Sequence, residues 1–126
     1  MGDPEGGGAQ DPLTVKFKWL RNLQKSAQKS QVCARLALEE TSRPEQQRAL
    51  RDTVVKMGQV ITILQGHITA LLSEEGDGVR MPTPDEIAAT KDLLIEVEGL
   101  TNQNLTAASA LSVSTRVLTM AGEFMA

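Results

Sequence analysis

Along the middle of the chain, apolar residues return at intervals of four and three: Leu50, Val54, Met57, Ile61, Leu64, Ile68 and Leu71. This heptad rhythm sets all of them on one face of an α-helix. The a positions hold β-branched Val54, Ile61 and Ile68, and the d positions hold Leu50, Met57, Leu64 and Leu71. That division of shapes is the one favoured in parallel two-stranded coiled coils. The pattern predicts a helix over about 43–73 whose seam packs along another helix. Its e and g positions (Arg51, Thr53, Gly58, Val60, Gln65, His67, Leu72) are mostly uncharged. A coiled coil open to water carries partner-choosing charges there, so these flanks are expected to be covered as well, by the chain's own helices or by another subunit.

Two further helices are expected around this one. Upstream, over about 12–41, Leu13, Phe17, Leu20, Leu23 and Ala27 gather on one side and Lys18, Arg21, Lys25 and Lys29 on the other. Beyond Gln31 the apolar positions move to Val32, Leu36 and Ala37, so the stripe drifts or the helix bends near Lys29–Ser30. Thr41-Ser42-Arg43-Pro44 interrupts the pattern. Ser42 and Glu45 have capping-box spacing, and Pro44 suits a first helical turn. Downstream, Ser73 to Thr83 is a loop with Gly76, Gly78 and Pro82. Thr83, Pro84 and Glu86 then spell a sharp helix start. A second heptad run follows: Leu93, Val97, Leu100, Asn104, Ala107, Leu111, Ser114, Leu118, Ala121 and Met125. It predicts a helix over about 84–122, weakest at Gly99 and Thr101–Thr106. The fold class is all-α: three long amphipathic helices with heptad seams, in a helical bundle or coiled-coil assembly. Residues 1–11 are glycine-rich with almost no apolar surface and are expected to be a disordered tail, leaving 12–126 as a single domain.

Composition narrows the function. Aromatics are only 2 % of residues (Phe17, Trp19, Phe124) while aliphatics bring the hydrophobic share to 40 %. Helix seams are built from such residues, whereas small-molecule pockets recruit aromatics. Charge is polarised along the chain. Residues 12–38 hold Lys16, Lys18, Arg21, Lys25, Lys29 and Arg35 and no acid. The last third is dominated by Asp and Glu, with only Arg80, Lys91 and Arg116 as bases. The basic stripe Lys18, Arg21, Lys25 and Lys29, with Trp19 beside it, forms a candidate contact surface for an anionic membrane, an acidic protein or the chain's own acidic helix. Its one-signed charge favours an intermolecular contact. The whole-chain pI of about 5.1 argues against nucleic acid.

Catalytic equipment is absent from the sequence. His67 has no companion ligands for a metal, no His–Asp pair activates a hydroxyl, and Gly76-Asp77-Gly78 is too short and too acidic to cradle phosphate. No cofactor and no small-molecule substrate are expected. Cys33, the single cysteine, is expected to be a buried small apolar residue. Asn104 at a heptad core position either fixes register as a buried pair or marks an interrupted helix. The run Val60–Leu72 is too short and too interrupted to span a bilayer, and no signal peptide is visible, so a cytoplasmic location is expected, though leaderless export leaves no mark. The expectation is a non-enzymatic structural or adaptor protein that assembles through its helices into homo- or hetero-oligomers.

Overall fold

A computed structural model describes residues 11–73, 79–100 and 104–125. It contains four helices: α1 (Pro12–Glu40), α2 (Pro44–Leu72), α3 (Pro84–Glu98) and α4 (Ala107–Met125). Among the described residues there is no strand. The expected tail lies outside the described residues apart from Asp11, and so do residues 74–78 of the expected loop.

Two expectations about helix ends need correcting. The helix expected over 84–122 is two helices, α3 and α4. Glycine costs about 1 kcal/mol in a helix interior, and at Gly99 α3 ends with its N–H bonded to Ile95 O at 3.0 Å and Glu96 O at 3.2 Å. A new start is written at Thr106: its hydroxyl accepts from Ser109 N at 3.0 Å, while Ser109 Oγ accepts from Thr106 N at 2.9 Å. Asn104 accordingly lies exposed and donates to Gly99 O at 3.3 Å, which is the interrupted-helix outcome. The core stripe of α4 shares Ser114 and Ala121 with the heptad run and is otherwise shifted from it. It uses Ala110, Val113, Val117, Ala121 and Phe124.

The second correction concerns α2. Pro44 occupies the first helical position, so Arg43 is the N-cap and Ser42 sits one residue too early to cap. No side chain caps this end. Thr41 ties it instead, its hydroxyl donating to Gln46 Oε1 at 2.8 Å and its carbonyl accepting from Gln47 Nε2 at 3.0 Å. The start of α3 is as expected: Thr83 and Glu86 form a reciprocal capping box behind Pro84.

Cross-helix contacts fix the directions of the helices. Gln24 meets Gln65 and Gln31 meets Val54, so α1 and α2 run antiparallel. Ser30 meets Ser114 and Trp19 meets Phe124, so α4 opposes α1. Lys29 reaches Glu98, while Val15 and Lys18 line a recess with Ile87 and Lys91, so α3 runs parallel to α1. α1 packs on all three other helices, α4 packs on α2 and α3, and α2 and α3 hold opposite flanks. Two clusters of buried apolar side chains fill the interior, the larger around Leu20, Leu23, Met57, Leu64, Leu93, Val113 and Val117, the smaller around Ala34, Ala37, Leu50 and Ala110.

α1 stays continuous through its Gln- and Ser-rich stretch because those residues are used inside the protein. Gln24 is buried; its Nε2 donates to Gln65 Oε1 at 2.9 Å, and its Oε1 accepts from Arg21 Nη1 at 3.1 Å. Gln31 Nε2 donates to Val54 O at 2.9 Å. Ser30 and Ser114, both fully enclosed, share a hydroxyl hydrogen bond of 2.5 Å between α1 and α4. Buried polar groups left without partners cost about 1–3 kcal/mol each, so these pairings make the polar stretch compatible with a core.

Candidate interaction surfaces

The seam that dominates the sequence packs within the chain. Leu50, Met57, Leu64, Ile68 and Leu71 are buried, and Val54 and Ile61 are half-buried against the core formed with α1 and α4. Gly58 on its flank permits the close approach of α1, since a Cβ there would stand 3.3 Å from Gln31 Nε2. Gly66 has no such reason: a Cβ would meet nothing within 4 Å.

One end of the molecule gathers almost every ring in the chain. The edge of Phe124 lies against Trp19 at 5.2 Å between centroids, and His67 meets Phe124 at 5.0 Å, both near perpendicular. Arg80 lies over the Trp19 ring at 5.2 Å and pairs with Glu86, Nη1 to Oε1 at 2.8 Å. Hydrogen bonds from Arg80, then from the Thr83 backbone, hold the Glu86 carboxyl down at about 2. Trp19 is therefore misplaced in the expected contact surface: it is only 4 % exposed. Its position on α1 turns it toward α4, away from the lysines. Sequence reading missed this cluster because its members come from four separate segments; the only local signal was the Thr83–Glu86 box.

The cationic stripe itself does face outward. Lys18, Lys25 and Lys29 are exposed and Arg21 is half-buried. Lys29 pairs with Glu98 at 3.7 Å, a long and solvated contact worth little. The stripe then turns apolar. Val32 is 51 % exposed and Leu36 is exposed beyond it, because α3 ends at Glu98 and leaves the last turns of α1 uncovered. An open groove of about 570 Å³ results, floored by Val32, Cys33 and Leu36 and walled by Lys25, Lys29, Val97 and Leu100. Cys33 is buried at its base, and that burial raises its thiol pKa despite nearby Lys29. Beside the groove α3 shows the opposite character: Asp85, Asp92 and Ile95 are exposed, Ile95 to 67 %.

A third surface is the outward side of α2. From Met57 to Ser73 this helix contains no Asp, Glu, Lys or Arg. Val55 is 61 % exposed and Ile63, two turns further on, is exposed as well. Three of its polar side chains turn back on the helix: Thr62 Oγ1 donates to Gly58 O at 3.0 Å, Gln65 Nε2 to Thr69 Oγ1 at 3.3 Å, and Ser73 Oγ to Ala70 O at 3.1 Å.

No family model, curated protein or solved structure matches this chain. Among the described residues no group of three or more His, Cys, Asp or Glu is placed to hold a metal ion. No helix among them is long and apolar enough to cross a membrane.

Proposed function

We propose that the chain is a non-enzymatic structural or adaptor subunit, a small helical bundle that works by assembling with other protein subunits, itself included. The observation that carries this reading is the outward side of α2. A helix with one face in a core normally turns a charged face to water. Here the outward face displays Val55 and Ile63 and carries no Asp, Glu, Lys or Arg from Met57 onward. The hydroxyls of Thr62 and Thr69 on this side are hydrogen-bonded within the helix, which lowers the hydration lost when another helix covers it. Gly66, whose missing side chain serves nothing inside the chain, allows such a helix to approach closely.

The test is a photo-crosslinking amino acid placed at Gln59 or Ile63 in cells, with Arg48 as the charged control position. The reading expects discrete adducts from Gln59 and Ile63 that are absent from Arg48. No discrete adduct from either position refutes it.

A second reading, docking through the basic face of α1, is favoured by Lys18, Lys25 and Lys29 all pointing outward. An acidic protein surface fits that face better than an anionic bilayer. Trp19, the side chain that would anchor at an interface, is enclosed in the core.

A further inference from the structure

We infer that the occupant of the α2 surface is a second copy of this chain, its α2 laid antiparallel on the first around a two-fold axis beside Thr62 and Ile63. The inference rests on the α2 reading above and names its partner.

Two observations favour a copy of the same helix. The first is where α2 keeps its charges. Glu45, Arg48, Arg51, Asp52 and Lys56 are all exposed and all precede Met57. In a two-fold contact the same surface meets itself. A parallel pair would therefore lay Arg48 on the partner's Arg48 and Lys56 on the partner's Lys56. An antiparallel pair about Thr62 and Ile63 sets Asp52 level with the partner's Ser73, and Lys56 level with the partner's Thr69. Arg48 and Arg51 pass beyond Leu72, where the partner's α2 ends. No charge of α2 then meets one of its own sign. Beside this face, α1 meets α2 through Gln24 and Gln31. The charged residues of α4 are Arg116, paired with Glu96 of α3, and Glu123.

The second observation is size. Val55, Gln59 and Ile63 stand four residues apart and form a ridge; Thr62, Gly66 and Ala70, at the same spacing, form a lower row beside it. Because the spacings match, the antiparallel register puts Val55 over the partner's Ala70, Gln59 over the partner's Gly66 and Ile63 beside the partner's Thr62. Each larger side chain meets a smaller one. Gly66 is also the place where an added Cβ would touch nothing in its own chain. A contact of about four turns from each copy lies at the small end of specific interfaces, so the pairing is expected to be weak.

Sedimentation velocity on the full chain at about 200 µM should show a monomer–dimer equilibrium. It should be undiminished at about 1 M NaCl, where the screening length falls to ~3 Å and a contact through the lysines of α1 would be lost. Ile63→Glu and Gly66→Leu should each weaken pairing at least tenfold while keeping helicity and Tm, because both positions are exposed. Disulfides in a Cys33→Ala background read the register. Gln59→Cys mixed with Gly66→Cys should give a covalent heterodimer under mild oxidation. Gln59→Cys alone should not, since it stands ~10 Å from its own copy along the pair; a parallel pair gives the reverse. A monomer at about 200 µM, a Gly66→Leu chain that pairs undiminished, or a mixture that fails to cross-link each overturns the inference. If such a monomer still yields discrete adducts with another protein from Gln59 or Ile63 in cells, the α2 reading stands and the second copy is wrong; with no adduct, both fall.

Discussion

Truncating Phe124 tests whether the ring cluster closes its end of the protein. Phe124 is nearly enclosed and touches both Trp19 and His67 through perpendicular ring contacts. Phe-to-Ala changes in cores cost about 3–5 kcal/mol, and each ring pair adds about 0.5–1.5 kcal/mol beyond area. Phe124 sits in the last turn of α4, where the backbone can relax, so the lower end applies: about 3 kcal/mol. For a chain of this size one kcal/mol moves Tm by roughly 3–5 °C, giving a fall of about 9–15 °C. Phe124→Leu keeps much of the volume but loses both ring pairs, so it should cost about 1–3 kcal/mol. Thermal unfolding by circular dichroism reads both losses. Trp19, the sole tryptophan, reads the opening of the ring cluster: its emission should shift to the red in Phe124→Ala as water reaches the indole. A Tm change below about 3 °C with unshifted emission refutes the reasoning, because α4 would then hold Trp19 without its terminal ring.

Two further outcomes follow from single positions. Gly66→Ala should raise stability by about 0.5–1 kcal/mol in thermal or urea unfolding, since the added methyl meets nothing and glycine is entropically costly in a helix; if α2 assembles there, the same change should weaken association. Glu86 governs an acid-sensitive window: its folded carboxyl titrates at about 2, below the ordinary 4.5, chiefly because Arg80 and the Thr83 backbone bond the charged form. The unfolded chain takes up that proton first as pH falls, so this stabilisation is complete above about 4.5 and disappears as pH drops toward 2. Glu86→Gln, which can still bond Thr83 N, should flatten the stability change over that window; an unchanged acid profile would show that the Arg80 contact is too solvated to matter.

Much of the fold was legible in the sequence, and the reasons for the failures are specific. Heptad spacing located α2 and its buried side because packing decides which face of a long helix turns inward. Thr83-Pro84-Asp85-Glu86 located the start of α3 because caps act over a single turn. The same heptad count overran Gly99, since periodicity is blind to a reversal of direction: α4 folds back and buries Val113 and Val117, which the extended register placed elsewhere. Thr106-Ala107-Ala108-Ser109 was the local sign of that new start, easily lost because its third helical position holds Ser rather than Glu or Gln. The Gln and Ser residues of α1 looked like a weakness because their partners, Gln65, Val54 and Ser114, are distant in the chain.

The contact surfaces show the same division between local and distant information. A pattern along one helix reveals that a face is apolar or cationic, and the lysine stripe was visible for that reason. What covers a face depends on which helices fold beside it and how far each extends. α3 has 15 residues against 29 in α1, so the second half of the α1 face stays bare. That mismatch turns Val32 and Leu36 from bundle core into groove floor, and no periodicity in residues 12–40 contains it. Likewise the seam of α2, the strongest interaction signal in the sequence, is satisfied inside the chain, while its quieter opposite side stays exposed. Heptads report that a helix has a neighbour. Whether that neighbour can belong to the same molecule depends on the connecting segments, and here the short connection at Thr41–Arg43 sets α1 antiparallel on the seam.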